Sequence, residues 1–232
     1  MQGFNNVIMI LGKSGMGKTY SLKNMRWDET FLVQIKAKPL PFRGWRKKLK
    51  LISKEDPNGN VFVTKSSDTI CSLINKINET RPEIKCIVID DLQYMMADEL
   101  FRELGTRGKG ANTFDAYVRI GKHLKDVLEA SQNLRDDLSV ILMAHTEIDD
   151  NMNVKMKTVG TLVDRQFSPE GLCNNVFLCG FNESKKTFHF IVKKRTESDI
   201  IKSLEGLFET DTVPNDLQDI LDKIDNYNNN EE

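Results

Sequence analysis

The stretch GKSGMGKT, residues 12–19, decides how this sequence is interpreted. It fits the spacing GxxxxGK[ST], in which glycines allow backbone N–H groups to converge on phosphate oxygens. The apolar run Val7–Leu11 precedes it and predicts a buried strand, and a helix is expected from residue 18 to about residue 25. A strand before such a loop and a helix after it are the context in which this spacing binds a nucleotide.

The loop predicts a role for each of its polar residues. Lys18 is expected to reach the β- and γ-phosphates of ATP, and Thr19 is expected to ligate Mg²⁺. A chance glycine-rich turn is the competing interpretation, and the flanking elements argue against it. The predicted nucleotide-binding set is Gly12, Lys13, Ser14, Gly15, Met16, Gly17, Lys18, Thr19 and Tyr20.

A second apolar run, residues 86–89, ends in the two acids Asp90 and Asp91. A phosphate loop needs a metal-binding acid at the end of another buried strand, and Asp90 is well placed to hold Mg²⁺ through water. Two acids at a strand end could also simply mark where the strand meets solvent. Because the phosphate loop is present, we predict that Thr19 and Asp90 form the metal site.

The rest of the chain alternates strands with helices, which predicts an α/β fold: a mostly parallel central sheet with helices on both faces. Two late strands joined by a short turn would add an antiparallel edge. Residues 49–53 and 61–64 could form a hairpin, and residues 146–160 are expected to be irregular. The other predicted strands cover residues 31–35, 84–89, 139–144, 175–179 and 187–192, and the helices cover 68–77 (capped by Asp68), 92–104, 113–134 and 216–227, with a glycine-rich loop at 105–110.

Composition is that of an ordinary globular protein: 232 residues, 39% apolar and 29% charged. No apolar run approaches the roughly 18 residues that would cross a bilayer, so no membrane partner is expected. The four cysteines show no CxxC spacing, and the N-terminus shows no export signal. We therefore expect free thiols and a cytoplasmic location, in the host cytoplasm if the protein is of phage origin.

The net charge of −1 conceals two segregated segments. Residues 36–54 contain eight Lys or Arg and no acid, whereas residues 209–232 contain eight acids and one lysine. We predict an ATPase core at residues 1–210 with a basic insertion at about 36–60. Residues 211–232 would form an acidic C-terminal helix and tail.

These motifs, in this order, resemble a RecA-type P-loop NTPase core over roughly residues 7–209. GTRGKGAN (105–112) and TEIDDNMNVKMKTVG (146–160) stand where RecA proteins carry their two DNA-binding loops. SVILMAH (139–145) ends in His145, where those proteins place a polar switch residue. FHFIVKKRTESDIIKSLEGLF (188–208) is similar to the stretch whose basic residues reach a neighbouring subunit's ATP. As a bare core, the chain resembles the RecA-like single-strand-annealing ATPases of bacteriophages.

The resemblance implies further site residues. Lys193, Lys194 and Arg195 would act in trans on a neighbouring subunit's γ-phosphate. The two loops would bind DNA through Arg107, Lys109, Lys155 and Lys157. Ordinary solvated charges and a charged strand end are the alternatives for these two sets.

One departure from the RecA pattern concerns the catalytic base. RecA proteins place a glutamate after the strand that follows the first helix, but residues 31–38 offer no acid. Asp91 is the first substitute for orienting the attacking water, and Glu147 is the second. His145 would sense the γ-phosphate or be a structural histidine.

The basic insertion adds a candidate single-strand site. Trp45 and Phe42 are surrounded by Arg43, Arg46, Lys47, Lys48 and Lys50. Aromatic rings among cations suit single-stranded DNA, because bases stack while the cations hold phosphates. Alternatively, the segment is a solvated insertion whose Trp45 packs against its own domain.

The sequence therefore predicts an ATP- and Mg²⁺-dependent single-stranded DNA-binding recombinase or annealing protein. It would assemble as a homo-oligomer, a ring or filament, with ATP at subunit interfaces controlling assembly on DNA. A single-strand-binding protein is a candidate partner. The alternatives are a motor or loader ATPase of DNA replication or packaging, and a nucleotide-dependent interaction protein with little turnover.

Overall fold

The computed structural model describes residues 5–54, 56–106, 113–165 and 167–229. In chain order the elements are β1 (Val7–Leu11), a 3-10 helix (Thr19–Asn24), β2 (Thr30–Gln34), α1 (Trp45–Lys48), β3 (Val61–Val63), α2 (Ser67–Thr80), β4 (Cys86–Asp90), α3 (Gln93–Thr106), α4 (Thr113–Ala130), β5 (Ser139–Ala144), β6 (Thr146–Ile148), β7 (Val154–Met156), α5 (Thr161–Asp164), a second 3-10 helix (Pro169–Leu172), β8 (Asn175–Asn182), β9 (Thr187–Ile191), β10 (Thr212–Pro214) and α6 (Leu217–Asn229).

The main sheet has the strand order β10-β9-β8-β1-β5-β4-β2-β3. From β8 to β3 every neighbouring pair is parallel, and β9 and β10 add an antiparallel edge. Strand β5, which follows β4 in the chain, lies between β1 and β4 in the sheet. This confirms the predicted α/β fold, in which a mostly parallel central sheet carries an antiparallel edge.

Alternate residues of the central strands point to opposite faces of the sheet and belong to two separate apolar layers. In β1, Val7, Met9 and Leu11 pack with the helices α2, α3 and α4 on one face. Ile8 and Ile10 pack on the other face, in a layer that includes α6 and the segment after the phosphate loop. Because both faces of these strands are buried, they are continuous apolar runs rather than alternating patterns.

The hairpin predicted in the basic insertion is wrong. Leu51 and Val61 form a parallel bridge, and β3 pairs in parallel with β2. A hairpin requires antiparallel neighbours. The turn instead leads residues 50–52 alongside β3 in the same direction, where the Ile52 N–H donates to the Val61 carbonyl at 2.9 Å.

Other local expectations are also corrected. Residues 146–160, predicted to be irregular, contain β6 and β7, which form a separate antiparallel pair. The N-cap of α2 is Ser66 rather than Asp68, because the Ser66 side chain accepts the Thr69 N–H at 3.3 Å. Helix α3 extends to Thr106 through the start of the predicted glycine-rich loop. The rest of that loop, residues 107–110, lies outside the described residues.

The acidic C-terminal segment packs onto the core. Strand β10 extends the main sheet, and α6 buries Leu217, Ile220, Leu221 and Ile224, the face predicted from its spacing. Two side chains tie it to the segment that follows the phosphate loop. Asp216 accepts from Asn24 at 2.5 Å, and Asp222 accepts from Arg26 at 2.9 Å. Within the described ranges, no helix is both long and apolar enough to cross a membrane.

We expect Ile220→Ala to destabilise the whole protein, because Ile220 is fully buried in the layer shared with β1 and β5. Truncating such a side chain costs about 3 kcal/mol. Urea unfolding should show one transition at lower denaturant concentration. The exposed Asn226→Ala change on the same helix should shift it by less than about 0.5 kcal/mol. An Ile220→Ala protein as stable as the parent would contradict this packing.

Candidate active site

The phosphate loop links β1 to the first 3-10 helix and needs glycine at two positions. Gly15 and Gly17 have φ values of 78° and 87°, in the left-handed region that side chains disfavour. A Cβ on Gly17 would also lie 2.7 Å from Cγ of Phe188 on β9. The backbone of the loop therefore lies directly against this ring, with no room for a side chain at Gly17.

Lys18 is buried and holds the loop together. Its Nζ donates to the carbonyl oxygens of Gly12 and Lys13, at 2.7 and 3.2 Å. Burial lowers the pKa of Lys18, and Asp91 and Asp90 are among the groups that oppose this effect. The predicted helix after Lys18 is only the short 3-10 helix Thr19–Asn24. The charge of Lys18 and the loop N–H groups therefore matter more for phosphate binding than a helix dipole.

Thr19 and Asp90 lie together, as the sequence predicts for a metal site. The Thr19 hydroxyl lies 3.2 Å from each carboxylate oxygen of Asp90. Burial raises the pKa of Asp90 to about 6, Asp91 adds to the rise, and Lys38, Thr19 and Lys18 oppose it. Mg²⁺ prefers hydroxyl and carboxylate oxygens and completes its shell with water and phosphate. The hydroxyl and carboxylate oxygens of this pair are therefore of the kind that the predicted Mg²⁺ site requires.

Asp91 is buried and has a strained backbone. Its φ of 67° is unusual for a residue other than glycine, and its side chain is 5% exposed. One carboxylate oxygen contacts Nζ of Lys38, and the other lies 3.7 Å from Nε2 of His145. Strain of this kind costs on the order of 1–3 kcal/mol and is concentrated at functional sites. Asp91 therefore faces the cleft with its carboxylate held between two basic side chains.

His145 follows the central strand β5, and its position is fixed by α3. Its backbone N–H donates to Oε1 of Gln93 at 3.1 Å, and its ring lies edge-on to Tyr94, 5.8 Å between centroids. Burial and the positive charge of Lys18 lower the pKa of His145, although Asp91 opposes the change. A neutral imidazole can accept or donate a hydrogen bond beside Asp91.

These groups converge on one cleft of about 490 Å³. Its aromatic wall contains Tyr20 and Phe188, whose centroids are 5.8 Å apart. The cleft is lined by Ser14, Gly15, Gly17, Lys18, Thr19, Tyr20, Lys38, Pro39, Pro41, Asp91, His145 and Phe188. The structure thus brings together the phosphate loop, Asp91 and His145, which the sequence predicts as one site.

Sequence reasoning missed Lys38 and Phe188. Residues 31–38 contain no acid, and the group that the structure brings from this segment to the cleft is a lysine. Its position just after β2, at the carboxyl edge of the sheet, is a signal that could have identified it. No sequence signal indicates that Phe188 lies against Gly17, because that contact depends on β9 folding back along β8.

The second candidate base lies in a different environment. Glu147 is in the β6–β7 pair, where its carboxylate is 3.2 Å from Nζ of Lys155. It is not among the residues that line the cleft. Lys155, predicted to contact DNA, also contacts Asp164, while Lys157 is exposed. The other two predicted loop cations, Arg107 and Lys109, lie outside the described residues.

The predicted trans-acting residues do not line their own chain's cleft. They follow β9, where Nζ of Lys193 donates to the Glu209 carbonyl at 2.9 Å. Lys194 and Arg195 are exposed. A role at the ATP of a second subunit therefore stays a prediction.

In the basic insertion the Lys and Arg side chains around Trp45 are exposed, but the aromatic side chains are wholly or partly buried. Arg43, Arg46, Lys47 and Lys48 are exposed. Trp45 is half-buried against the core, with the Arg46 guanidinium 5.4 Å from its ring centroid. Phe42 is buried and packs on Trp27, 6.3 Å between centroids, so it is not an open platform for a base.

Comparison with known proteins identifies a family. A family model described as an AAA domain matches residues 5–170. No curated protein matches the sequence. Among solved structures, a DnaB-like replicative helicase is 15% identical with a TM-score of 0.47, and covers 88% of this chain and 60% of its own. The ATPase EscN of the enteropathogenic E. coli type III secretion system is 12% identical with a TM-score of 0.48, covering 75% of this chain and 43% of its own.

A third solved structure is the genome packaging NTPase B204 from Sulfolobus turreted icosahedral virus 2, in complex with ATP-gammaS. It is 12% identical with a TM-score of 0.40, and the match covers 78% of each chain. The present chain spans less than two thirds of the helicase and of the secretion ATPase.

We expect Asp90→Asn to stabilise the nucleotide-free protein at neutral pH. The folded pKa of about 6 lies above the ordinary value of 3.8, so the ionised carboxylate lowers stability increasingly as the pH rises from about 4 to 6. Removing this charge should raise the free energy of unfolding by on the order of 2 kcal/mol at about pH 7.5. The gain should shrink towards zero near pH 4.

Urea unfolding without Mg²⁺ measures this effect, with the exposed Asp28→Asn as the matched control. The control should change stability little at any pH. An Asp90→Asn protein that is destabilised equally at both pH values would show that burial of this charge is not unfavourable.

Proposed function

Because the chain belongs to the AAA domain family and is a P-loop ATPase, we propose that it hydrolyses Mg²⁺-ATP and couples this reaction to single-stranded DNA. The observation that carries the coupling is the basic insertion. Its first residues, Lys38, Pro39 and Pro41, line the nucleotide cleft, and the following residues expose a cluster of cations. Single-stranded DNA bound to that cluster would contact the basic insertion, the same segment that lines the nucleotide cleft.

The cleft supports hydrolysis by positioning and charge. Lys18 would hold the β- and γ-phosphates, and Asp91 would accept a hydrogen bond from the attacking water. The water oxygen bonds to the γ-phosphorus and gives one proton to the Asp91 carboxylate, which passes it to solvent. The bond from that phosphorus to the β–γ bridging oxygen breaks with its electron pair left on ADP, and ADP and phosphate leave. Mg²⁺, held by Thr19 and Asp90, would supply positive charge against the phosphates.

The exposed cations favour a nucleic-acid partner over an acidic protein site. The phosphates of a single-stranded DNA are negative and would bind this cluster of cations. Affinity for the DNA would then fall steeply as the salt concentration rises. Trp45 is half-buried beside these cations, with the Arg46 guanidinium 5.4 Å from its ring centroid. The proposal is therefore an ATP-dependent single-strand-binding protein that acts in recombination or annealing.

Assembly of several subunits completes the proposal. Lys193, Lys194 and Arg195 lie outside their own cleft, so they would reach ATP only from a neighbouring chain. ATP between subunits would then hold a homo-oligomer on the strand, and hydrolysis would release it.

We expect Lys18→Ala to weaken binding of a non-hydrolysable ATP analogue by roughly 10- to 100-fold, because charge-assisted hydrogen bonds to phosphate are lost. Isothermal calorimetry measures this, with circular dichroism to confirm folding. Lys76→Ala, an exposed lysine on α2, is the control and should bind as the parent does. Equal affinity in the parent and in Lys18→Ala would remove the nucleotide site from this loop.

We also expect single-stranded DNA to raise the ATPase rate through the basic insertion. Replacing Arg46, Lys47 and Lys48 with Gln should weaken DNA binding and flatten the slope of log affinity against log salt by about two, since each phosphate contact on a single strand contributes roughly 0.7. The control replaces Lys76, Lys122 and Lys125, on α2 and α4, with the same loss of charge.

Three outcomes separate the candidate functions. Annealing of complementary strands without unwinding supports the proposal. Directional unwinding or translocation would instead indicate a motor ATPase. Equal DNA affinity in both triple variants would remove the basic insertion from the DNA site.

A further inference from the structure

Lys38 occupies an unusual position at the catalytic edge of the sheet. Its Nζ contacts the Asp91 carboxylate and lies 4.0 Å from Oδ2 of Asp90. It lines the same cleft as Lys18 and Thr19. The cleft thus holds two lysines: Lys18, bonded to the loop carbonyls, and Lys38, bonded to the acid proposed to orient water.

The backbone of Lys38 is held by a hydrogen bond, and its side chain is partly exposed. Gln34, which is buried and pairs with Asp90 in register across β2 and β4, donates from Nε2 to the Lys38 carbonyl at 3.0 Å. Pro39 follows directly. The side chain itself is 41% exposed, so Nζ has room to change its partner while the backbone stays in place. A four-carbon stem carries its charge over several ångströms without any change in the fold.

Stabilisation of the fold alone is a poor explanation for the contact between Lys38 and Asp91. Pairs with a partly exposed lysine contribute little to stability, with a median of about 0–1 kcal/mol. Asp91, by contrast, is buried in a strained backbone conformation. Its other close basic neighbour is His145, whose pKa is lowered by burial. Lys38 is therefore the cation in direct contact that neutralises Asp91, and while that contact lasts the carboxylate has one oxygen fewer for water.

We propose that Lys38 is a nucleotide-state latch, which exchanges the Asp91 carboxylate for the terminal phosphate of a bound nucleoside triphosphate. The triphosphate offers a more highly charged acceptor in the same cleft, so Nζ moves to it and releases Asp91 to orient the attacking water. A diphosphate lacks that acceptor and leaves Lys38 on Asp91. Lys38 is thus a specificity residue for triphosphate over diphosphate and a positioning residue for Asp91. This rests on the proposed ATP site.

If Lys38 is a latch, replacing Lys38 and replacing Asp91 should change the selectivity for triphosphate over diphosphate in opposite directions. Removing Lys38 deletes a ligand that only the triphosphate uses. Removing the charge of Asp91 deletes the competitor that Lys38 must leave, which lowers the free-energy cost of triphosphate binding. An ion pair that only holds the cleft in shape would affect both nucleotides in the same direction from either end.

The test measures affinity for ATPγS and for ADP by calorimetry with Mg²⁺ present, using the full chain. The selectivity is the ratio of the ADP dissociation constant to the ATPγS constant. Lys38→Gln should lower it roughly tenfold, almost entirely through weaker ATPγS binding. Lys38→Arg should retain most of the selectivity, because it keeps the charge. Lys36→Gln is the control, since Lys36 bonds Asp98 at 2.7 Å and does not line the cleft.

A double variant distinguishes the latch from simple repulsion between Asp91 and phosphate. Asp91→Asn should raise the selectivity in the parent and have no effect on it in the Lys38→Gln background. The same increase in both backgrounds would overturn the latch. Equal loss of ATPγS and ADP affinity in Lys38→Gln would overturn it too. A parent protein that binds neither nucleotide would instead refute the proposed ATP site itself.

Discussion

The contact between Thr19 and Asp90 is the interaction on which the rest of the site depends. Thr19 follows β1 and Asp90 ends β4, and the two strands are separated in the sheet by β5. Their oxygens lie 3.2 Å apart only because the parallel strands end at one edge. The proposed metal ion would lie beside this contact, next to the phosphate loop. The same edge also places His145, which follows β5, between the loop and the acid.

The carboxyl edge of the parallel strands holds buried charges that lower the stability of the folded protein. Asp90 and Asp91 are both buried, and the pKa of Asp90 rises to about 6 through burial and the neighbouring acid. Lys38 and Lys18, which both line the cleft, oppose this rise in the pKa of Asp90. Features that lower the stability of an empty site are typical of places that bind a charged ligand. The strained backbone of Asp91 fits the same account.

The predictable parts of the fold are the ones that local sequence determines. Strands β1 and β5 were predicted to the residue, because runs buried on both faces are continuous and apolar. The glycine spacing identified the loop, since only glycine adopts its backbone without strain. The buried face of α6 followed from helical periodicity.

What could not be predicted depends on contacts between distant segments. The bridge of Leu51 to Val61 is parallel because β3 joins β2 in the main sheet, which a turn signal cannot show. Lys38 meets Asp91 only after β2 and β4 have paired. The short 3-10 helix after the loop packs against α6, far away in sequence, and local propensity favoured a longer helix there.

We propose that one cleft binds nucleotide and that the basic insertion transmits the state of that cleft to a DNA strand. Coupling of this kind is reciprocal, so nucleotide must change DNA affinity as much as DNA changes nucleotide affinity. Fluorescence anisotropy of a labelled single-stranded oligonucleotide, titrated with the protein in ATPγS, in ADP and without nucleotide, tests this most directly. We expect the oligonucleotide to bind more tightly in ATPγS than in ADP. Equal affinity in all three conditions would contradict this coupling.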